Sequence, residues 1–176
     1  MTENLIGTRV WYLFWEAECS ITLTTHVSQG PIVPFDPSSR KFKSKNSLGI
    51  GIAHTMAYLD DALLALGLLV EARTSFIIYW LPSISKHEYI LLKFLPQNSY
   101  QQAASLEIEH KPDIVTTVFM LFKRVCEDEF DEWDEAHLRI SDGVAFWRGI
   151  VGVNEVKMGD EGLFKVLEWG GMEVHP

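Results

Sequence analysis

Residues 112–140 read PDIVTTVFMLFKRVCEDEFDEWDEAHLRI, and two patterns compete within them. Val115, Phe119, Phe122, Cys126, Phe130, Trp133, His137 and Ile140 recur every three or four residues, which places them on one stripe of a helix. Charge argues against a single helix. Seven of the nine residues from Glu127 to Glu135 are carboxylates, and in one continuous helix they would crowd the C-terminal half, where the peptide dipoles already present negative charge. A break near Cys126 turns the same acids into the favourable first turns of a second helix. The pattern therefore reads as helical across residues 113–140, and two helices are preferred to one.

The acid run also carries the first functional expectation. Pairs such as Asp128 with Glu132, and Asp131 with Glu135, set like charges four residues apart, which costs roughly 0.2–0.5 kcal/mol each in an isolated helix. No Lys or Arg inside the run relieves them. Phe130 and Trp133 interrupt the carboxylates Glu127, Asp128, Asp131, Asp134 and Glu135. Apolar anchors rimmed by one sign of charge suit the docking of a basic partner, with charge steering encounter and aromatics supplying binding energy. A solvated surface kept acidic for solubility is the blander explanation.

Upstream, Ile52, Met56, Leu59, Leu63, Leu66 and Val70 share one helical face, and Ser47 can cap its start, so a helix is expected over about 48–72. On the opposite side of that helix His54, Tyr58 and Asp61 would stand together: an imidazole base, a phenol donor and an orienting carboxylate. In an aromatic-lined pocket these three would suit a small cofactor-independent enzyme or a binder of an apolar small molecule. Gly49, Ile50 and Gly51 form G-x-G at the helix entry, but the third glycine and preceding strand of a dinucleotide fingerprint are missing, so no cofactor is expected. The exposed amides of Gly49 and Gly51, beside Arg40, Lys41, Lys43 and Lys45, make a weaker case for an anion. Those four bases sit in a Pro- and Ser-rich segment at about 28–47 that reads as one long loop, exposed and mobile.

The remaining segments suggest strands. Arg9–Trp15 and Ser20–Val27 are rich in aromatic and β-branched residues. Phe76–Leu81 and Glu88–Leu95 flank Pro82–Ser85 as a hairpin. Val153–Met158 and Leu163–Trp169 flank a Gly-Asp-Glu-Gly turn as another, and Val144–Ile150 follows the turn at Asp142–Gly143. The expected fold is α+β: a single domain with a mostly antiparallel sheet built from hairpins and helices packed on one face.

Composition bounds the function classes. The chain has 176 residues, 47% hydrophobic and 12% aromatic, with 15 Lys and Arg against 24 Asp and Glu, a net charge of −9. That deficit of bases speaks against a nucleic-acid partner, which needs a Lys/Arg footprint. The longest apolar run, Ala62–Val70, falls well short of a membrane span, and Met1–Gly7 lacks a secretory pattern, so a cytoplasmic location with reduced Cys19 and Cys126 is expected. Both thiols read as core residues. His137 with Asp134 three residues earlier lacks the further ligands of a metal site, and none is expected. Association of copies through the basic loop and the acid run is compatible with either function.

Overall fold

A computed structural model describes residues 13–15, 32–36 and 42–175, with the backbone alone at Asp134. Except for residues 13–15, the expected strands at Arg9–Trp15 and Ser20–Val27 lie outside the described residues, as do Arg40 and Lys41. In chain order the elements are β1 (Leu48–Gly51), α1 (Ile52–Ala65), α2 (Val70–Ile84), β2 (Tyr89–Phe94), α3 (Gln97–Ala103), β3 (Ile114–Val125), α4 (Glu127–Asp131), α5 (Asp134–Leu138), α6 (Phe146–Val151), α7 (Glu155–Gly159) and β4 (Lys165–Glu173). The four strands form one sheet in the order β1-β2-β3-β4. β1 with β2 and β2 with β3 are antiparallel, whereas β3 and β4 run parallel. The fold is helices with a mixed sheet.

Several expectations are corrected by these elements. Residues 114–125, read as helix, are an interior strand of the sheet. Thr116, Val118, Met120 and Phe122 alternate with Thr117, Leu121 and Val125, and both sets are buried. A strand covered on both faces is a near-continuous apolar run, so a subset of it matches a helical period by chance. The break at Cys126 is present, but it separates a strand from a helix.

The long helix expected over 48–72 is also divided. Leu48–Gly51 is strand, paired with Tyr89–Leu92. α1 then ends at Ala65 because Gly67 (φ +88°) takes the left-handed conformation. Gly67 N–H donates to the Leu64 carbonyl (2.9 Å) and Leu68 N–H to that of Leu63 (3.0 Å), a Schellman stop in the middle of an apolar run. Ser47 is buried ahead of β1, and Gly51 stands at the N-cap of α1.

Phe76–Leu81, expected as a strand, belongs to α2. Phe76, Ile77, Trp80 and Ile84 lie on one helical face and pack into the main core, so tertiary burial overrides the β propensity of the segment. Val144–Ile150 and Val153–Met158, also expected as strands, hold the short helices α6 and α7. β4 therefore has no hairpin partner and lies beside β3 after a crossover through four helices.

Helices cover both faces of the sheet, where one was expected. On the first face Leu48, Ile50, Ile90, Leu92, Phe94, Val118, Met120 and Phe122 meet Leu59, Leu63, Phe76, Ile84, Trp147 and Val151 of α1, α2 and α6. On the second, Leu95 and Leu121 pack with Tyr100 of α3, and Leu91 and Val125 with Ala136 of α5. Phe35 and Phe42, from the segment read as a solvated loop, also pack on this second face. No helix among the described residues is long and apolar enough to cross a membrane.

Candidate functional site

The acid run leaves the end of β3 and immediately caps itself. The Glu129 carboxylate accepts from Cys126 N–H (3.3 Å), reaching back from the first turn to the N-cap as in a capping box. Glu127, Asp128 and Glu129 thus occupy the first turn of α4, where the helix dipole favours negative charge. The chain then turns at Trp133 (φ −102°, ψ 44°) and α5 begins.

Residues 130, 133 and 136 all point inward. Phe130 lies 4.5 Å from the Tyr89 ring and 3.6 Å from the His137 ring, centroid to centroid. Trp133 packs half-buried with the Lys123 ammonium 5.3 Å from its ring, and Ala136 is fully buried. Arg139 ties the far end to the chain before β1, donating to the carbonyls of Ser47 (3.1 Å) and Ser44 (3.2 Å). With the aromatics turned in, the carboxylates of Glu127, Asp128, Glu129, Asp131, Glu132 and Glu135 face out. All six residues are exposed, and none forms an ion pair among the described residues.

Beside this face is a polar cleft of about 370 Å³ between the start of β2 and the end of β3, lined in part by Lys86, His87, Glu88, Arg124, Cys126 and Glu127. His87 Nε2 is 2.6 Å from a carboxylate oxygen of Glu173, the last residue of β4. Glu127, with burial and then Glu88 and Asp131 adding to it, holds the Tyr89 phenol above its usual range. Sequence reading found neither His87 nor the exposure of Cys126. The partner of His87 is 86 residues away, and the helical stripe that placed Cys126 in the core does not exist.

The His54, Tyr58 and Asp61 constellation does not assemble. The buried stripe of α1 is Thr55, Tyr58, Leu59, Ala62 and Leu63, rotated from the expected one so that Tyr58 enters the core while His54 and Asp61 stay exposed. Tyr58 oxygen accepts from the Trp147 indole N–H at 2.9 Å. Burial pushes its phenol up to about 12, against a smaller opposing pull from that hydrogen bond, so the group is neutral at ordinary pH.

The expected anion site is displaced as well. Lys43 and Lys45 are exposed, but Gly49 is buried in β1 opposite Leu91, with Phe130 and His137 packed on its Cα. Its amide is not at a helix entry. Bases do gather on this sheet face in another way: Lys93 and Lys123 lie 4.9 and 5.8 Å from the Phe42 ring. Burial first, and Lys43 second, lower the Lys93 pKa.

A second buried polar group lies further along the same face. Thr117 hydroxyl donates to Glu168 (3.0 Å) and accepts from Gln101 (3.1 Å). Burial raises the Glu168 pKa, and the Thr117 hydrogen bond only partly offsets it. A carboxyl whose folded pKa lies above its unfolded one favours folding fully below the unfolded pKa and loses that contribution as pH rises through the folded value. Glu168→Gln keeps an acceptor for Thr117 and removes the titration. Its urea midpoint is expected to rise relative to wild type as pH climbs through the carboxyl range, then to hold a constant advantage at neutrality. An offset independent of pH contradicts this.

No protein-family model, curated protein or solved structure matches the chain.

Proposed function

We propose that the chain is a protein-interaction module that docks a basic partner on the carboxylate face of α4 and α5. The observation that carries this reading is the set of six exposed carboxylates outside any ion pair among the described residues, on helices pinned to the sheet by Phe130, Trp133 and Ala136. Free surface carboxylates on flexible chain would be screened and averaged. Held on a packed platform, they present a fixed negative field that raises the encounter rate with a Lys- and Arg-rich segment. An inhibitor, immunity-type or adaptor role suits such a face. The aromatics act differently from the sequence expectation: they fasten the acidic helices to the sheet, and recognition rests mainly on charge.

Immobilised chain is therefore expected to retain basic proteins from a lysate at low salt and to release them as ionic strength rises past the physiological range, where the screening length shrinks to about 8 Å. With a retained protein purified, replacing Asp128 and Asp131 by Asn and Glu132 and Glu135 by Gln should slow its association about tenfold and change dissociation little. Equal association rates for the variant and the wild type would discard the reading.

A further inference from the structure

The two edges of the sheet are treated differently. β1 is four residues long and is flanked by α5 and the turn at 139–142. β4 is nine residues long, contains no proline, and every residue from Val166 to Glu173 is only partly buried. Among the described residues no strand pairs with its outer side. A long, regular edge with no strand on its outer side among the described residues presents a row of backbone donors and acceptors that templates another strand.

The hydrogen bonds to β3 show which groups face out. In a parallel ladder alternate residues direct both N–H and C=O to the same neighbour. Phe164 carbonyl accepts from Asp113 N–H (2.9 Å), and Val174 N–H donates to the Phe122 carbonyl (2.7 Å). Even-numbered residues of β4 therefore serve β3. Lys165, Leu167, Trp169, Gly171 and Glu173 turn their N–H and C=O groups outward.

We propose that β4 pairs antiparallel with β4 of a second copy of this chain, with Trp169 on the two-fold axis. The sequence of the strand, Lys-Val-Leu-Glu-Trp-Gly-Gly-Met-Glu, is self-complementary in that register. Lys165 then stands opposite Glu173 of the other copy at both ends of the ladder, Leu167 opposite Gly171, Val166 opposite Met172, and Glu168 opposite Gly170. Every outward N–H meets an outward C=O. The neighbouring registers lack this match. Centring on Glu168 sets two carboxylates face to face, and centring on Gly170 leaves Glu173 opposite Leu167. Like charges directly opposed are unfavourable, and opposite ones favourable.

A further feature agrees with this occupant. Leu167 and Trp169 project to the face of the main core, where Trp169 lies 5.4 Å from Phe76. Pairing brings the two Trp169 rings together across the axis and covers their exposed parts. The result is a continuous eight-stranded sheet with α4 and α5 at its two outer ends, leaving both carboxylate faces open.

Sedimentation and amide exchange by NMR on the full chain over a concentration series test this together. A concentration-dependent dimer is expected, with the amides of Leu167, Trp169, Gly171 and Glu173 protected when concentrated and losing protection on dilution. Those of Glu168, Gly170, Met172 and Val174 should remain protected throughout, which also reports that β4 stays folded in each variant. Lys165→Glu places like charges at both ends and is expected to weaken the dimer about tenfold or more at low salt. Adding Glu173→Lys to that variant restores opposite charges at both ends while also removing the partner of His87, and should recover part of the loss. A monomer up to millimolar concentration overturns the proposal. So does a dimer whose odd-numbered β4 amides exchange equally fast when concentrated and dilute, since it uses another surface.

Discussion

Trp147→Ala is expected to remove about 3–5 kcal/mol of stability, the range found when a buried aromatic is truncated to alanine. Against a typical total of about 5–15 kcal/mol this is a large fraction of the stability. Trp147 is completely buried, edge-on to Phe94 at 5.1 Å and 4.2 Å from Phe146. It joins α6 to β2 and to α1, and its indole N–H is the donor to the buried Tyr58 oxygen. Truncation therefore opens a cavity and also strips a buried phenol of its partner. Trp147→Phe separates the two effects. It keeps most of the ring volume but orphans the Tyr58 hydroxyl, for an expected loss of about 1–3 kcal/mol. Combining it with Tyr58→Phe should be less harmful than the sum of the single changes, because the second substitution removes the orphan. Urea unfolding with an unchanged slope is the measurement, and strict additivity would show that the hydrogen bond contributes nothing.

How far the sequence disclosed this arrangement depends on whether the deciding contact is local. β2 was legible, since Glu88–Leu95 brackets the observed Tyr89–Phe94. The helix through Met56 and Leu63 was legible in kind, and the break at Cys126 was legible from the placement of charge. The stop at Gly67 was readable too, since glycine after a periodic run marks a helix end, but the apolar residues continuing to Val70 masked it. β3 was not legible, because a strand buried on both faces has no alternation to read. Neither was the parallel partnership of β3 with β4, which depends on residues some fifty positions apart. The acid run was recognised, while the direction of its aromatics was not. Phe130 and Trp133 look alike as exposed anchors or as inward packing until the sheet beneath them is known. The His54, Tyr58 and Asp61 grouping failed for a related reason: a rotation of the α1 stripe by about one residue moves Tyr58 from surface to core.

Gly49 connects that sheet to the proposed docking face, and replacing it should separate the two. A Cβ at this position would stand 2.7 Å from His137 Cδ2 and 3.1 Å from the Phe130 ring. Both atoms belong to rings packed against each other, so neither can yield as the free end of a flexible chain would. Valine, which suits a strand, adds two methyl groups to this contact. Its intrinsic preference is favourable and its packing is not, and overpacking of about 1–3 kcal/mol decides the sign. The strain falls on α4 and α5 before it falls on the main core, because Leu48 and Ile50 point to the opposite face of the sheet. Gly49→Val is therefore expected to lower the urea midpoint and, under native conditions, to increase the solvent exposure of Trp133 while the amides of β2 and β3 keep their protection from exchange. In the same variant the carboxylates are all present but their platform is loosened. Association with a basic partner should slow less than in the four-carboxylate variant, and dissociation should become faster. If Gly49→Val instead leaves dissociation unchanged, charge alone rather than its mounting determines the affinity, and the packing of Phe130 and Trp133 serves stability only.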